Sequence, residues 1–323
     1  MPLAVARSPQ EWLAQFGNSG RRAALTIGNF DGVHLGHQAI LRRVRESARE
    51  SGALAAILTF YPHPARVLRP ASAPVLLMTL EQRLTAIESL GLDAALVLTF
   101  DAPLAHMTAQ DFAQRLLVRT MRAAAVCVGE NFRFGHRKAG DVALLRALGR
   151  ENGFAVEAVP PVEIEGLIVS STAIRESLLE GRVADARGML GRPFALRGTI
   201  ATGTGQGRKL VVPTLNLSTE QELLPKRGVY ATECILEGAS YPSVTNIGVR
   251  PTFDGTRLAI ESHLFAFDRA LTTGELELRF HSRLRDEQKF PDPAALREQV
   301  LKDIEAAKEY FRREAVPAET PRS

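Results

Sequence analysis

Cysteine is nearly absent: Cys127 and Cys234 are the only two in 323 residues. Neither belongs to a CxxC pair or a His/Cys cluster, so no zinc motif and no redox dithiol is expected. Their apolar, strand-like surroundings read as buried small hydrophobes, and a disulfide is not expected. No apolar run approaches the length of a membrane span, and the opening MPLAVARSPQEW carries Pro2 and Arg7 where a signal would carry an apolar core. The expectation is a cytoplasmic protein with no membrane partner. No GxxxxGK[ST] occurs anywhere, which removes the Walker A route to ATP, and no GxGxxG follows a strand. Aromatics make up 6% of the chain. In the second half they fall mostly on core positions, a poor stacking platform for nucleic acid.

The composition that is present is that of a soluble globular protein, 45% hydrophobic and 24% charged, and the length suits two domains. A net charge of +4 and an isoelectric point near 9.3 favour anionic partners. Arginine heavily outnumbers lysine, which suits bidentate phosphate contacts.

The stretch TIGNFDGVHLGH, Thr26 to His37, organises the first half. A short apolar run, Ala23 to Ile27, predicts a buried parallel strand; Gly28, Gly32 and Gly36 punctuate a turn; helical periodicity begins near His37. Free N–H groups at a helix start attract phosphate, and glycines let it approach the backbone. His34 and His37 add donors for charge building on a phosphate oxygen. Further strands are expected at Ala53 to Tyr61, Asp93 to Phe100, Ala124 to Gly129 and Ala155 to Val159, alternating with helices, one of which opens on a capping box at Thr79. Such alternation predicts a doubly wound α/β domain with a parallel sheet, whose ligands bind beyond the carboxyl ends of the strands. The loops there carry Gly28, Phe30, Asp31, His34 and His37; His63 and Arg66; and Asn131 within NFRFGHRKAGD, whose aromatic and basic residues suggest stacking faces beside phosphate donors. After the fifth strand, Ser171 or Thr172 is placed to cap a helix, with Arg175 one turn in, a set that suits a triphosphate.

From about Gly191 the long helices stop. Short strands at Phe194 to Ala201, Gly228 to Leu236, Tyr241 to Gly248, Leu258 to Phe267 and Glu275 to Phe280 predict a small antiparallel β-barrel, closed by an amphipathic terminal helix at Ala294 to Phe311. Gly203, Gly205, Gly207 and Lys209 form a glycine-rich basic connector. Thr214 and Asn216, two apart in an extended segment, point the same way and offer oxygens to Mg²⁺. Glu261 lies in an apolar alternating strand. A salt-bridged carboxylate is the commoner explanation of such a residue; opposite Thr214 and Asn216 it becomes a candidate base for a hydroxyl proton.

The HxGH turn resembles the nucleotidyltransferase superfamily of that name. HxGH, TFxPHP, GENFRFG and SSTxIR in this order resemble the adenylyltransferase module of the bacterial bifunctional riboflavin kinase/FMN adenylyltransferase family. Asn131 stands where many members carry Asp, and Ala173 where Arg is frequent. The second half resembles the kinase module: the glycine loop, PTLN with Val212 in place of the common Phe, GVY, NIG with RPT, and Glu261. The resemblance implies an adenylyltransferase domain over residues 1–186 and a riboflavin kinase domain over 187–323. It implies ATP and Mg²⁺ in the chemistry, with riboflavin, FMN and FAD as partners and Glu261 as catalytic base. It also implies flavin contacts at Arg285 and Phe290, and it leaves room for a homo-oligomer. Two rivals carry less of the sequence: another HxGH transferase with an unrelated barrel, and an RNA-binding protein with a degenerate transferase half.

Overall fold

The computed structural model describes residues 2–201, 212–252, 255–269 and 271–314. The chain divides into two compact units, Met1–Ser171 and Thr172–Ser323.

The first unit runs β1 (Ala4–Ala6), α1 (Pro9–Phe16), β2 (Ala23–Ile27), α2 (Leu35–Ser51), β3 (Leu54–Tyr61), α3 (Pro64–Leu68), α4 (Leu80–Ser89), β4 (Ala94–Thr99), α5 (Ala102–Ala105), α6 (Ala109–Phe112), β5 (Ala123–Gly129), α7 (Val142–Asn152) and β6 (Ala155–Val159), then a small hairpin of β7 (Glu163–Ile164) and β8 (Leu167–Ile168). Beyond α6 the chain continues as a π-helix over Ala113–Thr120. Six strands pair in the order β1-β4-β3-β2-β5-β6, and every pairing in this sheet is parallel. Alternate residues of the same strands feed two cores. Leu25, Leu58, Leu96 and Val126 face Trp12, Phe112 and Leu145, while Ala24, Ile57, Val97 and Cys127 face Leu41, Val44 and Ile87. A sheet covered on both faces explains the unbroken apolar strands. The strand order reverses between β2 and β5, so the crevice at their carboxyl ends is the topological switch point where such sheets hold ligands.

The sequence leaves β1 and α1 unmarked, because three residues of AVA carry no readable period. The strand nevertheless pairs Ala4 with Ala94 at the sheet edge.

The second unit begins in α8 (Ser171–Glu180) and α9 (Val183–Leu190) and continues through β9 (Phe194–Ala201), β10 (Leu215–Ser218), β11 (Gly228–Leu236), β12 (Ala239–Thr252), β13 (Gly255–Leu264), β14 (Glu275–Arg285) and α10 (Pro293–Glu314). The strands close a barrel in the order β10-β13-β12-β11-β14-β9, with antiparallel pairing. At Gly198 a Cβ would fall 1.9 Å from the Ser218 carbonyl oxygen, so glycine lets β9 and β10 cross closely. Val229, Ala231 and Val244 on the barrel wall pack against Ile304 and Ala307 of α10. Behind that wall a buried hydroxyl chain ties three strands: Thr232 meets Ser243 at 2.8 Å and Thr245 at 2.6 Å, and Thr245 meets Ser262 at 2.7 Å.

Candidate active sites

At the switch point, the β2–α2 loop is bent through left-handed backbone at Phe30, Gly32 and Val33. His34 is the N-cap of α2, and its Nδ1 accepts the His37 amide at 3.4 Å. That acceptor role places the proton of a neutral His34 on Nε2. The two imidazoles stack with centroids 3.7 Å apart, and the Phe30 ring meets His37 edge-on at 5.2 Å. Gly36 makes room for this: a Cβ there would press to 3.2 Å on the His34 ring. Gly28 has the same relation to Phe30, at 3.3 Å. Burial, then His34, then Arg83 hold the His37 imidazole well below the usual histidine value. Its Nδ1, with Thr26 Oγ1 and Asn29 Oδ1, is a buried polar atom that no atom of the described residues pairs.

Asp31 is 2% exposed, and its carboxylate accepts the Leu77 amide at 3.1 and 3.2 Å. Its carbonyl oxygen accepts from Ser171 Oγ at 2.8 Å. Here the capping expectation needs correction. Ser171 and Thr172 are the first two residues of α8 instead of the residue before it, and the Ser171 hydroxyl is spent on Asp31. Arg175 lies one turn further along the same helix. His63 precedes α3 and accepts the Ala65 amide through Nδ1 at 3.2 Å, with Arg66 exposed on that helix. Asn131 is exposed in the loop after β5. Of the two aromatics expected to offer stacking faces beside it, Phe134 is buried and Phe132 is half-buried. Phe134 is 6% exposed within the core, with Phe132 stacked on it at 5.5 Å, and Arg133 pairs with Asp141 at 3.0 Å. The glycines there serve packing, since a Cβ at Gly140 would meet the Phe134 ring at 2.7 Å.

The barrel has a cavity of about 260 Å³ on the side that α10 covers, lined among others by Thr214, Asn246, Glu261, His263, Arg285 and Phe290. Register explains the cluster. Glu261 of β13 lies directly opposite Asn216 of β10 on one side and Asn246 of β12 on the other, and directly paired residues share a face. Thr214, two residues before Asn216, shares that face and lines the cavity. His263 Nδ1 contacts the Pro213 carbonyl oxygen at 2.9 Å, which steadies the strand that presents Thr214. Arg285 is held from behind: Asp303 of α10 accepts from Nε and Nη2 at 2.8 and 2.7 Å, and Gln299 donates to Asp303 at 2.9 Å. The guanidinium lies 5.8 Å from the Phe290 ring centroid. Gly203, Gly205, Gly207 and Lys209 lie outside the described residues.

Sequence reasoning named Asn246 only within the NIG motif, with no role at the site, and passed over Arg83. Asn246 carries a signal in hindsight, a polar residue in an apolar strand paired with Glu261. Arg83 carries none, since a charge in an amphipathic helix ordinarily faces solvent.

The family description for FAD synthetase matches residues 17–173, and that for riboflavin kinase matches residues 190–311. The bifunctional riboflavin kinase/FMN adenylyltransferase of Pseudomonas fluorescens is 40% identical over 89% of this chain and 93% of its own. The Escherichia coli K12 protein of the same name is 36% identical over 89% and 92%. A crystal structure described as a macrolide-efflux protein from Streptococcus pneumoniae superposes with a TM-score of 0.84 at 26% identity, over 95% of this chain and 99% of its own. Among the described residues no helix is long and apolar enough to cross a membrane. With two family descriptions dividing the chain between them and relatives matched nearly end to end, this chain belongs to the bifunctional riboflavin kinase/FMN adenylyltransferase family.

Proposed function

We propose that the protein converts riboflavin to FMN in the barrel cavity and FMN to FAD at the switch point of the parallel sheet, using one ATP for each step. The observation that carries this reading is the register that sets Glu261 between Asn216 and Asn246 on a cavity wall, in a unit separate from the stacked His34 and His37.

In the kinase step Glu261 takes the proton of the ribityl 5′-hydroxyl as that oxygen bonds to the γ-phosphorus of ATP and the bridging bond to the β-phosphate breaks, releasing ADP. Phe290 and Arg285 border the flavin, and Asp303 fixes the guanidinium's orientation. Thr214, Asn216 and Asn246 offer uncharged oxygens beside one carboxylate, a donor set that fits Mg²⁺, a cation that keeps several waters and shares phosphate oxygens. Bound there with the nucleotide, Mg²⁺ supplies charge neutralisation on the phosphates.

In the adenylyl step a phosphate oxygen of FMN bonds to the α-phosphorus of ATP, the bond from that phosphorus to the β-phosphate bridge breaks, and pyrophosphate leaves. No proton moves and no covalent enzyme intermediate forms. The Nε2–H of His34 and the ring of His37 stabilise phosphate charge at the start of α2, within reach of Gly28, Phe30 and Asp31 of the loop. The Ser171 backbone N–H at the start of α8 binds the triphosphate, its hydroxyl being held by Asp31, while His63, Arg66 and Asn131 position FMN.

The test is a crossed pair of variants. His37→Ala should lower FAD formation from supplied FMN by about 100-fold or more, the scale of a lost transition-state donor, and leave FMN formation intact. Glu261→Gln should do the reverse. Loss of both activities in either variant would rule out two separate sites.

A further inference from the structure

Arg83, the fourth residue of α4, is 0% exposed. A buried guanidinium ordinarily meets a carboxylate, because leaving water uncompensated is expensive. This one does not: among the described residues no carboxylate lies within ion-pair distance of it. Nη1 has only two distant neighbours, Thr59 Oγ1 and the Phe60 carbonyl oxygen, each at 3.5 Å. Among the described residues no atom accepts from Nε or Nη2.

Its place gives the charge a use. Thr59 and Phe60 form the carboxyl end of β3, beside the loop that β2 sends into the HxGH turn. Three groups feel the guanidinium through space, Asp31, Tyr61 and His37. Around His37 stand His34 from the cap, Phe30 from the loop and Arg83 from α4, and the one carboxylate coupled to this cation, that of Asp31, is hydrogen-bonded to the Leu77 amide. Adenylyl transfer brings two phosphate anions together. An imidazolium could offset that charge only at acid pH, whereas a guanidinium keeps its charge throughout.

We propose that Arg83 is a positioning residue for adenylyl transfer, a buried cation at the carboxyl end of β3 whose charge no carboxylate of the described residues pairs and which therefore acts on the phosphates that meet at the imidazole pair. This rests on the reading that the first unit forms FAD. The work is divided: Arg83 provides charge that pH does not change, and His34 and His37 provide geometry. Removing the cation weakens the transition state and lets His37 take up a proton at a higher pH, so the acid limb of the rate profile moves upward.

The experiment uses the full chain as wild type, R83K and R83Q. FAD formation from FMN and MgATP is followed between about pH 5.5 and 9, the span over which imidazoles titrate, and the His37 ring is titrated by NMR. FMN formation from riboflavin serves as the control for active protein. The expected result is a fall of about 100-fold or more in R83Q, on the scale of a lost electrostatic stabiliser, with the acid limb and the His37 titration both shifted to higher pH. R83K keeps the charge and stays within about tenfold of wild type on unshifted curves. Wild-type rates and an unmoved His37 titration in R83Q overturn the proposal. So do equal losses in both variants with unmoved titration, which is how a purely structural residue behaves. Should R83Q not fold, R83K decides: a rate within about tenfold sustains the proposal and a deeper loss overturns it. A wild-type protein that forms no FAD overturns the underlying reading instead.

Discussion

His37 shows how a single residue can carry both stability and chemistry. Burial, His34 and Arg83 together hold its imidazole well below the ordinary value of 6.5 in the folded protein. The unfolded chain therefore binds a proton there while the native chain does not, over the window from about pH 6.5 downward. Stability is full above that pH and is lost as pH falls. Trp12, the one tryptophan, is buried in the first unit, so its fluorescence reports the unfolding of that unit. The urea midpoint read by Trp12 should fall between pH 7 and about pH 5.5, and His37→Asn should flatten that fall by removing the group that titrates. A slope unchanged by the substitution would place the acid sensitivity elsewhere. The two cysteines behave as their surroundings suggested: burial pushes the thiols of both Cys127 and Cys234 up to about 12, so neither offers a thiolate near neutrality. The histidines were legible because HxGH joins residue type to spacing. Arg83 was not, because its charge points inward from a helix whose pattern looks ordinary.

At the scale of elements, α4 links local sequence to the active site. Thr79 Oγ1 accepts the Gln82 amide at 3.2 Å, and Gln82 Oε1 accepts the Thr79 amide at 2.8 Å, a reciprocal cap of the kind the sequence TLEQ predicts. The next residue is Arg83. Thr79→Ala removes the cap at a cost of about 1 kcal/mol. Fraying that first turn loosens the buried guanidinium as well, so FAD formation should drop severalfold while FMN formation stays at wild-type rates. Loss of stability with no change in FAD formation would separate the cap from the chemistry. The cap at Thr79 and the parallel strands from β2 to β6 could be read because one short run of residues determines each. The π-helical stretch Ala113–Thr120 could not, since its register depends on tertiary contacts, nor could the full lengths of β12, β13 and β14, which pass beyond their apolar runs because neighbouring strands of the barrel continue to pair with them.

For the molecule as a whole, the sequence locates the change from parallel sheet to barrel near Gly191, where the helical periods stop. Packing draws the line earlier, because α8 and α9 contribute to the second unit: the Leu178 carbonyl oxygen accepts the Lys226 amide at 2.9 Å, Arg187 reaches the Tyr310 hydroxyl at 3.1 Å, and Val183, Ala186, Met189 and Leu190 are buried. Periodicity cannot show which of two neighbouring cores a connecting helix serves, since an amphipathic helix reads the same against either. The energetic consequence is direct. At about 25 cal/mol per Å² of apolar area, the buried side chains that a cut before Arg187 removes, Leu178, Val183 and Ala186 among them, are worth a few kcal/mol to the second unit, above the margin that one substitution usually removes. A fragment of residues 172–323 should therefore melt at least about 5 °C above one of residues 187–323, a difference that follows from spreading a few kcal/mol over a domain of this size. Both carry Thr214, Asn216, Glu261 and α10, so both should phosphorylate riboflavin at low temperature, and only the shorter should lose that activity early on warming. Equal melting temperatures would mean that residues 172–186 add nothing to the barrel's stability.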